Sequence, residues 1–200
     1  MVTIKKKNII TTYLNLWRVF IGWICVNCSK YKDKIYMDFS AYKRNIMPAG
    51  AEKYSEIVKF GYCLFEEPSF RNVILNRLHR NPILYFVFRV FFKPVESLYI
   101  SVAPEKIGGG GIFFQHGFAT IVLAESIGEN CWINQQVTIG AKGMEIPILD
   151  DNVKVYAGAI VLGSCRVKSG ATIGAGAVVT HDVAEGMTVV GVPARAINIK

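Results

Sequence analysis

Apolar residues recur every six positions through the second half of the chain, and this period constrains the fold more than any other feature. They lie at Ile121, Ile127, Ile133, Ile139, Leu149, Val155, Val161, Val167, Ile173 and Val179. A hexad repeat is typical of a solenoid in which three short strands complete each triangular coil, apolar residues point inward and stacked coils share one core. A β-sandwich fits poorly, because its strands alternate with period two and its turns fall at irregular intervals.

The repeat has one break, where ten residues instead of six separate Ile139 from Leu149. Four additional residues are therefore expected to form a loop extruded from the coil. Small residues follow the inward positions, as in Ile127-Gly128 and Ile173-Gly174, where the corners of a coil need tight turns. Residues 101–200 hold 15 of the 18 glycines, so two architectures share the polypeptide.

The first half of the chain has a helical period. Apolar residues recur at helical spacing from Ile57 to Phe65 and again from Val73 to Leu78. Pro94 is expected to end the last helix, and extended sequence follows from Ser97. We therefore predict a mainly β fold class with three parts: a helical N-terminal region (1–95), a β-helix domain (96–196) and a short tail (197–200).

The net charge of +8 comes from the first half, where 16 Lys and Arg face 7 Asp and Glu. These basic residues are scattered rather than clustered, which argues against a nucleic-acid partner. The apolar stretch from Ile9 to Val26 contains Asn15 and Arg18, and no small-residue cleavage site follows it. It predicts an amphipathic helix rather than a signal peptide or a membrane span, and contact of this helix with a membrane stays open.

The five cysteines do not form the pairs, or the clusters with histidine, that a metal site requires. They indicate reduced thiols in a cytoplasmic protein, and we expect no resident metal. Cys131 and Cys165 fall within the repeat without a base nearby in its register, so both are interpreted as core residues rather than nucleophiles.

Several short motifs occur together between residues 96 and 196. They are Lys106-Ile107-Gly108, Gly111 to His116, Ile127 to Asn130, Gln136 to Gly140, Ile173 to Val179, and Gly191 to Arg195. Jointly they resemble the hexapeptide-repeat acyltransferases: the serine acetyltransferases and, most closely, the relatives that O-acetylate sugars in capsule and lipopolysaccharide synthesis. The resemblance implies a left-handed parallel β-helix, acetyl-CoA as co-substrate, and trimers or dimers of trimers with active sites between subunits.

His116 matches the catalytic base of this family. The other two histidines fit less well, because His79 lies in a basic helical segment and His181 follows the last full coil. In the implied mechanism His116 removes the proton of an acceptor hydroxyl, the oxygen attacks the acetyl-CoA carbonyl directly, and backbone N–H groups stabilise the oxyanion. Without the resemblance, a histidine that merely fills a turn is an equal alternative.

A carboxylate normally orients such a base. The serine enzymes carry an Asp just upstream of Lys106, where this chain has Tyr99-Ile100-Ser101. Glu125 matches a Glu of the family and is our candidate for this role, with Glu105 as the alternative.

The resemblance places the CoA groove beside three small residues, Ala141, Ala157 and Ala175. Larger side chains at these positions would obstruct the pantetheine arm. Arg195 and Lys200 are candidates to contact the CoA phosphates. Alternatively, both are only solvent-exposed charged residues of a helix or of the C-terminal tail.

Three residues at the expected acceptor site differ from the serine enzymes. Gln115 stands where those enzymes have Asp, and Glu145 and Ile146 stand where they have Arg and His. The family's groups at these positions contact serine, so their replacement favours another acceptor. The main prediction is thus an acetyl-CoA-dependent O-acetyltransferase that modifies a sugar hydroxyl in surface polysaccharide biosynthesis. Serine acetylation in cysteine biosynthesis is the alternative, and a non-catalytic β-helix scaffold is the third hypothesis.

Overall fold

The N-terminal region is helical, as predicted. The computed structural model of the chain describes residues 6–197. Its α-helices are α1 (Lys6–Leu14), α2 (Leu16–Asn27), α3 (Lys32–Ile46), α4 (Glu56–Glu66), α5 (Ser69–Leu78) and α6 (Pro82–Phe91), and short 3-10 helices cover Ala51–Lys53 and Pro104–Lys106. Helix α6 begins where the Asn81 side chain accepts the Leu84 N–H at 3.1 Å and Pro82 takes the first helical position. Within the described residues, no helix combines the length and apolar character needed to cross a membrane.

Short strands follow from residue 98. They are β1 (Leu98–Ile100), β2 (Phe113–Phe114), β3 (Thr120–Val122), β4 (Ser126–Ile127), β5 (Trp132–Ile133), β6 (Thr138–Gly140), β7 (Ile148–Leu149), β8 (Lys154–Val155), β9 (Ile160–Leu162), β10 (Arg166–Val167), β11 (Thr172–Ile173), β12 (Val178–Val179), β13 (Thr188–Val190) and β14 (Arg195–Ile197). They form three sheets, ordered β1-β3-β6-β9-β12, β10-β7-β4 and β14-β13-β11-β8-β5-β2. All neighbours are parallel except β13 and β14. The predicted β-helix is therefore confirmed.

The hexad positions fill the core of the β-helix with one exception. From Ile127 to Val179 each of these side chains is at most 1 % exposed. Ile121, which we expected to point inward, is 49 % exposed, whereas Thr120 and Val122 on either side of it are fully buried. Val122 pairs with Ile139 and so continues the inward column. The repeat is thus shifted by one residue in the first coils, and successive strand residues point to opposite faces.

A buried ion pair joins the helices to the first coil. Arg77 of α5 donates from Nε to Asp38 Oδ2 of α3 at 3.0 Å, and both side chains are 0 % exposed. The guanidinium also donates to the carbonyl oxygens of Pro104 and Ile107 at 3.1 and 3.0 Å. In turn, Asp38 accepts the Ile112 N–H at 3.0 Å. The pair therefore provides hydrogen-bond partners for backbone groups at the start of the β-helix, and Lys34 Nζ also donates to the Ile107 carbonyl oxygen at 2.9 Å.

The segment before β2 passes very close to α3. A Cβ atom at Gly110, whose φ is +130°, would lie 2.6 Å from Met37 Cβ and 2.7 Å from the Lys34 carbonyl oxygen. Only glycine fits this approach. One hydrophobic core continues from the helices into the coils, and the division into separate domains stays a prediction.

Candidate functional site

His116 occupies a tight turn directly after β2. Its φ is +65° and that of Gly117 is +56°, so two consecutive residues have left-handed backbone. Such a conformation is uncommon for a residue with a side chain. Gly117 is buried, and a Cβ atom there would lie 2.8 Å from Ser69 Cβ. The turn is thus pressed against the start of α5, while the His116 side chain remains 60 % exposed.

Glu67 holds this turn from the helical region. It lies between α4 and α5 and is 4 % exposed. Its Oε2 atom accepts the backbone N–H of His116 at 3.0 Å and lies 3.4 Å from Nδ1 of the same residue. A proton on Nδ1 facing this carboxylate leaves Nε2 with a lone pair toward solvent. Glu67 therefore stands where an orienting carboxylate must stand relative to a histidine base.

Glu67 is itself held by a buried hydrogen-bond chain. The Ser69 hydroxyl lies 3.0 Å from Glu67 Oε1 and 2.9 Å from the Tyr42 hydroxyl. Tyr42 accepts the Phe114 N–H at 3.2 Å, and Ser69 also lies 2.7 Å from the Phe114 carbonyl oxygen. The chain thus links α3, α5 and β2. Burial raises the pKa of Tyr42 well above its usual value, so this hydroxyl stays protonated.

The two carboxylates predicted to orient His116 lie elsewhere. Glu125 is exposed, precedes β4 in a different sheet and pairs with Lys106 at 3.2 Å. Glu105 pairs with Arg80 on the surface. Sequence reasoning missed Glu67, because its contact with His116 spans 49 residues and depends on how the helices pack on the first coil. The only local sequence signal for Glu67 is its place directly before Pro68, the N-cap residue of α5.

Two of the proposed CoA-groove residues share a corner of the β-helix with His116. Strands β2, β5, β8 and β11 pair in register, with Phe114, Ile133, Val155 and Ile173 aligned. Two residues beyond these positions lie His116, Gln135, Ala157 and Ala175, which therefore form one column along the β-helix. Ala141 follows β6 and belongs to the corner of another sheet. Any groove that includes all three alanines must therefore involve more than one corner.

One of the two phosphate candidates belongs to the sheet that carries this column, since Arg195 pairs with Val190 of β13, and β13 pairs with β11. Arg195 lies on β14, is exposed and donates to the Ala194 carbonyl oxygen at 3.1 Å. Lys200 lies outside the described residues.

The three acceptor candidates fall in two places. Gln115 is half-buried beside His116, and its N–H donates to the Ile133 carbonyl oxygen at 2.9 Å. Glu145 and Ile146 lie in the predicted loop, which is present between β6 and β7. In that loop the Lys142 N–H donates to the Glu145 carbonyl oxygen at 3.0 Å, and Met144 is 99 % exposed. Gln115 thus adjoins the histidine, whereas the loop projects from a different corner.

The thiols of the β-helix are core residues. Cys131 is fully buried, and desolvation raises its pKa to about 12. Burial also raises the pKa of Cys165. A thiol that stays protonated at neutral pH is a poor nucleophile.

Curated relatives match the β-helical half of the chain. Serine acetyltransferase of Bacillus licheniformis is 42 % identical over 104 residues, which cover 49 % of this chain and 48 % of the relative. The enzyme of the same name from Bacillus pumilus is 39 % identical over 126 residues, which cover 57 % of this chain and 55 % of the relative. The chain spans about half the length of these relatives. No protein-family model matches it.

Solved structures match a larger part of the chain. Soybean serine acetyltransferase complexed with serine superposes with a TM-score of 0.62 at 28 % identity, covering 84 % of this chain and 69 % of the soybean chain. A serine acetyltransferase in complex with CoA gives a TM-score of 0.57 at 27 % identity, covering 84 % and 70 %.

These findings contradict the prediction of a sugar acceptor. Relatives at about 40 % identity are named serine acetyltransferase, and so are the structural neighbours, so the alternative reading is favoured. The differences at Gln115, Glu145 and Ile146 do not outweigh similarity that extends over about a hundred residues. The chain has the hexapeptide-repeat β-helix fold of the serine acetyltransferase family.

Proposed function

We propose that this chain is a serine O-acetyltransferase that uses acetyl-CoA. The observation that carries the proposal is the exposed His116 ring, whose Nδ1 lies 3.4 Å from the buried carboxylate of Glu67. The same carboxylate oxygen accepts the backbone N–H of His116 at 3.0 Å, so Glu67 holds the turn and faces the ring at the same time. The similarity to serine acetyltransferases, including one solved with serine and one with CoA, supports the choice of both substrates.

In the proposed reaction His116 acts as a general base and then as a general acid. Nε2 accepts the proton of the serine hydroxyl while the oxygen attacks the thioester carbonyl of acetyl-CoA. The tetrahedral intermediate collapses, the carbon–sulfur bond breaks, and the CoA thiolate takes the proton from the imidazolium. Glu67 stabilises the transient positive charge on the ring. The products are O-acetylserine and CoA, and no acyl-enzyme forms.

The column that contains His116 suits a long, narrow co-substrate. Ala157 and Ala175 are small, and they lie two and three coils from the histidine. Strands in adjacent coils are roughly 4.8 Å apart, so this column extends about 14 Å from His116. We propose that the pantetheine arm lies along it, with Ala141 of a neighbouring subunit opposite in a cytoplasmic trimer. Glu125, Arg195 and Lys200 then lack an assigned catalytic step.

Gln115 and Glu145 remain our candidates for acceptor contacts. Gln115 is next to His116 in sequence, and Glu145 carries a charge that can pair with the serine ammonium. Because Glu145 lies in the extruded loop, a trimer with shared sites would bring it to a neighbouring subunit's histidine.

The test is release of CoA thiol from acetyl-CoA with L-serine as acceptor. The wild-type protein should release CoA only when serine is present, and His116→Ala should reduce kcat by roughly a thousandfold, within the range for removing a positioned base. His181→Ala is the matched control, because His181 is exposed after β12, and it should retain full activity. O-methyl-L-serine lacks the attacking hydroxyl and should support no release.

Two results would overturn the proposal. One is the absence of serine-dependent release from protein that is folded and binds acetyl-CoA. The other is full activity of His116→Ala.

A further inference from the structure

Among the possible directions of the hydrogen bonds around Tyr42, one gives the hydrogen of each hydroxyl an acceptor. The Phe114 N–H must donate, so the Tyr42 oxygen accepts at 3.2 Å. Either hydroxyl could donate in the 2.9 Å contact between Tyr42 and Ser69 Oγ, and donation by Tyr42 is the direction that gives its hydrogen an acceptor. Both side chains are fully buried, so water does not compete for these bonds. Ser69 is therefore left to donate its own hydrogen elsewhere.

Ser69 has two acceptors within reach. These are Glu67 Oε1 at 3.0 Å and the Phe114 carbonyl oxygen at 2.7 Å. A hydrogen bond to an ionised carboxylate is about twice as strong as one to a neutral carbonyl. With Glu67 ionised, the Ser69 hydrogen therefore favours Oε1.

This donation fixes the plane of the carboxylate. One oxygen of Glu67 is held by Ser69, so the other oxygen must face the backbone N–H and Nδ1 of His116. Without Ser69, the carboxylate would keep the backbone contact but could rotate away from the ring. The ring is 60 % exposed, and Glu67 is its only ion-pair partner among the side chains of residues 9–197.

We propose that Ser69, supported by Tyr42, is a positioning residue that aligns Glu67 and thereby keeps the His116 proton on Nδ1, with Nε2 as the base. The proposal rests on the proposed function only in taking Nε2 as the reacting atom. Ser69 is fully buried and cannot touch either substrate.

The first readout needs no catalysis. Long-range ¹H–¹⁵N NMR of the imidazole nitrogens reports which nitrogen carries the proton, and the chain has only three histidines to assign. At a pH where the rings are neutral, wild-type His116 should be the Nδ1–H tautomer. Ser69→Ala should move its signals toward the Nε2–H form that a free imidazole prefers.

The matched control is Thr120→Val. Thr120 is also fully buried, and its hydroxyl lies 3.0 and 3.4 Å from the carbonyl oxygens of Phe118 and Asn134. It lies four residues from His116 but outside the chain of bonds to Glu67. Thr120→Val should lower stability like Ser69→Ala and leave the His116 tautomer unchanged.

The second readout is kinetic. Ser69→Ala should lower kcat about tenfold with unchanged KM for serine and acetyl-CoA, since small misplacements cost up to about a hundredfold in rate. In a Glu67→Gln background the same change should lower kcat less than about twofold, because residues that act through one another are not additive. Tyr42→Phe should act in the same direction as Ser69→Ala, with a smaller effect.

The outcomes separate this proposal from the proposed function. A tautomer shift in Ser69→Ala would support the positioning role even if the wild-type protein released no CoA in the presence of serine. The absence of that release would instead contradict the assignment of serine as the acceptor. Normal release with an unchanged tautomer, or an equal shift in Thr120→Val, would overturn the positioning role. A tenfold effect of Ser69→Ala that persists in the Glu67→Gln background would also overturn it.

Discussion

The two halves of the molecule contribute to the site in opposite ways. The β-helix repeats one arrangement in successive coils. At the corner that follows β5, β8 and β11, the residues Gln135, Ala157 and Ala175 have no ionisable side chain. His116 is the departure from that column. The helices contain no repeat, yet they provide the carboxylate and the hydroxyls behind the ring. The regular β-helix thus fixes the position of His116, and the irregular helical region provides the carboxylate that contacts it.

The test with the largest expected effect replaces one carboxylate by an amide in each half of the molecule. Glu67→Gln keeps the shape of the side chain and an acceptor for the His116 N–H but removes the charge behind the ring. We expect kcat to fall by about a hundredfold to a thousandfold, as when an orienting carboxylate is neutralised. Glu125→Gln, in the β-helix, should change kcat less than about twofold, because Glu125 contacts Lys106. Steady-state CoA release measures both, and the reverse order of effects would restore Glu125 as the orienting group.

The next test concerns the buried ion pair between Asp38 and Arg77, which connects the helices to the β-helix. Asp38→Asn leaves the Arg77 guanidinium buried without a counter-charge, which should lower the free energy of unfolding by about 3–5 kcal/mol. Urea unfolding followed by circular dichroism measures the change. Glu105→Gln removes the exposed partner of Arg80 and should have little effect. Two separate unfolding transitions in Asp38→Asn would mean that the helices and coils are less tightly coupled than their shared core indicates.

The test with the smallest expected effect asks which positions of the six-residue repeat point into the core. Ile133→Ala removes a fully buried side chain and should cost about 2–5 kcal/mol. Ile121→Ala, at a side chain that is 49 % exposed, should stay within about 0.5 kcal/mol in the isolated chain. Urea midpoints at several protein concentrations measure both. An Ile121→Ala effect that depends on concentration would show that another subunit covers this face.

The fold was predictable where a repeat existed. The six-residue period located the β-helix and the extruded loop, because inward-pointing residues must recur once per strand. The period failed at Ile121, since the first coils continue the inward column through Val122 instead. The helical half was predictable as helices, but periodicity carries no information on how helices pack against one another.

The site was predictable only in part. His116 was predicted from a motif before the regular coils, and its catalytic role stays a prediction to which the structure adds a left-handed backbone conformation. Glu67 could not be identified in the same way, because its contact depends on helix packing across 49 residues. Both predicted carboxylates, Glu105 and Glu125, belong to residues 96–196, whereas Glu67 belongs to the helical region. The prediction of a sugar acceptor was wrong, because differences at three side chains carry less information than similarity over about a hundred residues.

The strand β14 has a consequence for behaviour at high concentration. A stack of parallel coils ends in unpaired backbone groups, which can recruit a strand of another molecule and extend into fibres. Here β14 runs antiparallel along β13, and the Ala194 N–H donates to the Val178 carbonyl oxygen of β12 at 2.8 Å. At the opposite end, α3 and α5 pack against β1 and β2. Each end of the coil stack within residues 6–197 is thus covered by an element other than a parallel coil. The edge left at the C-terminal end is that of the three-residue antiparallel strand β14, and so short an edge strand is a poor template for the addition of another coil.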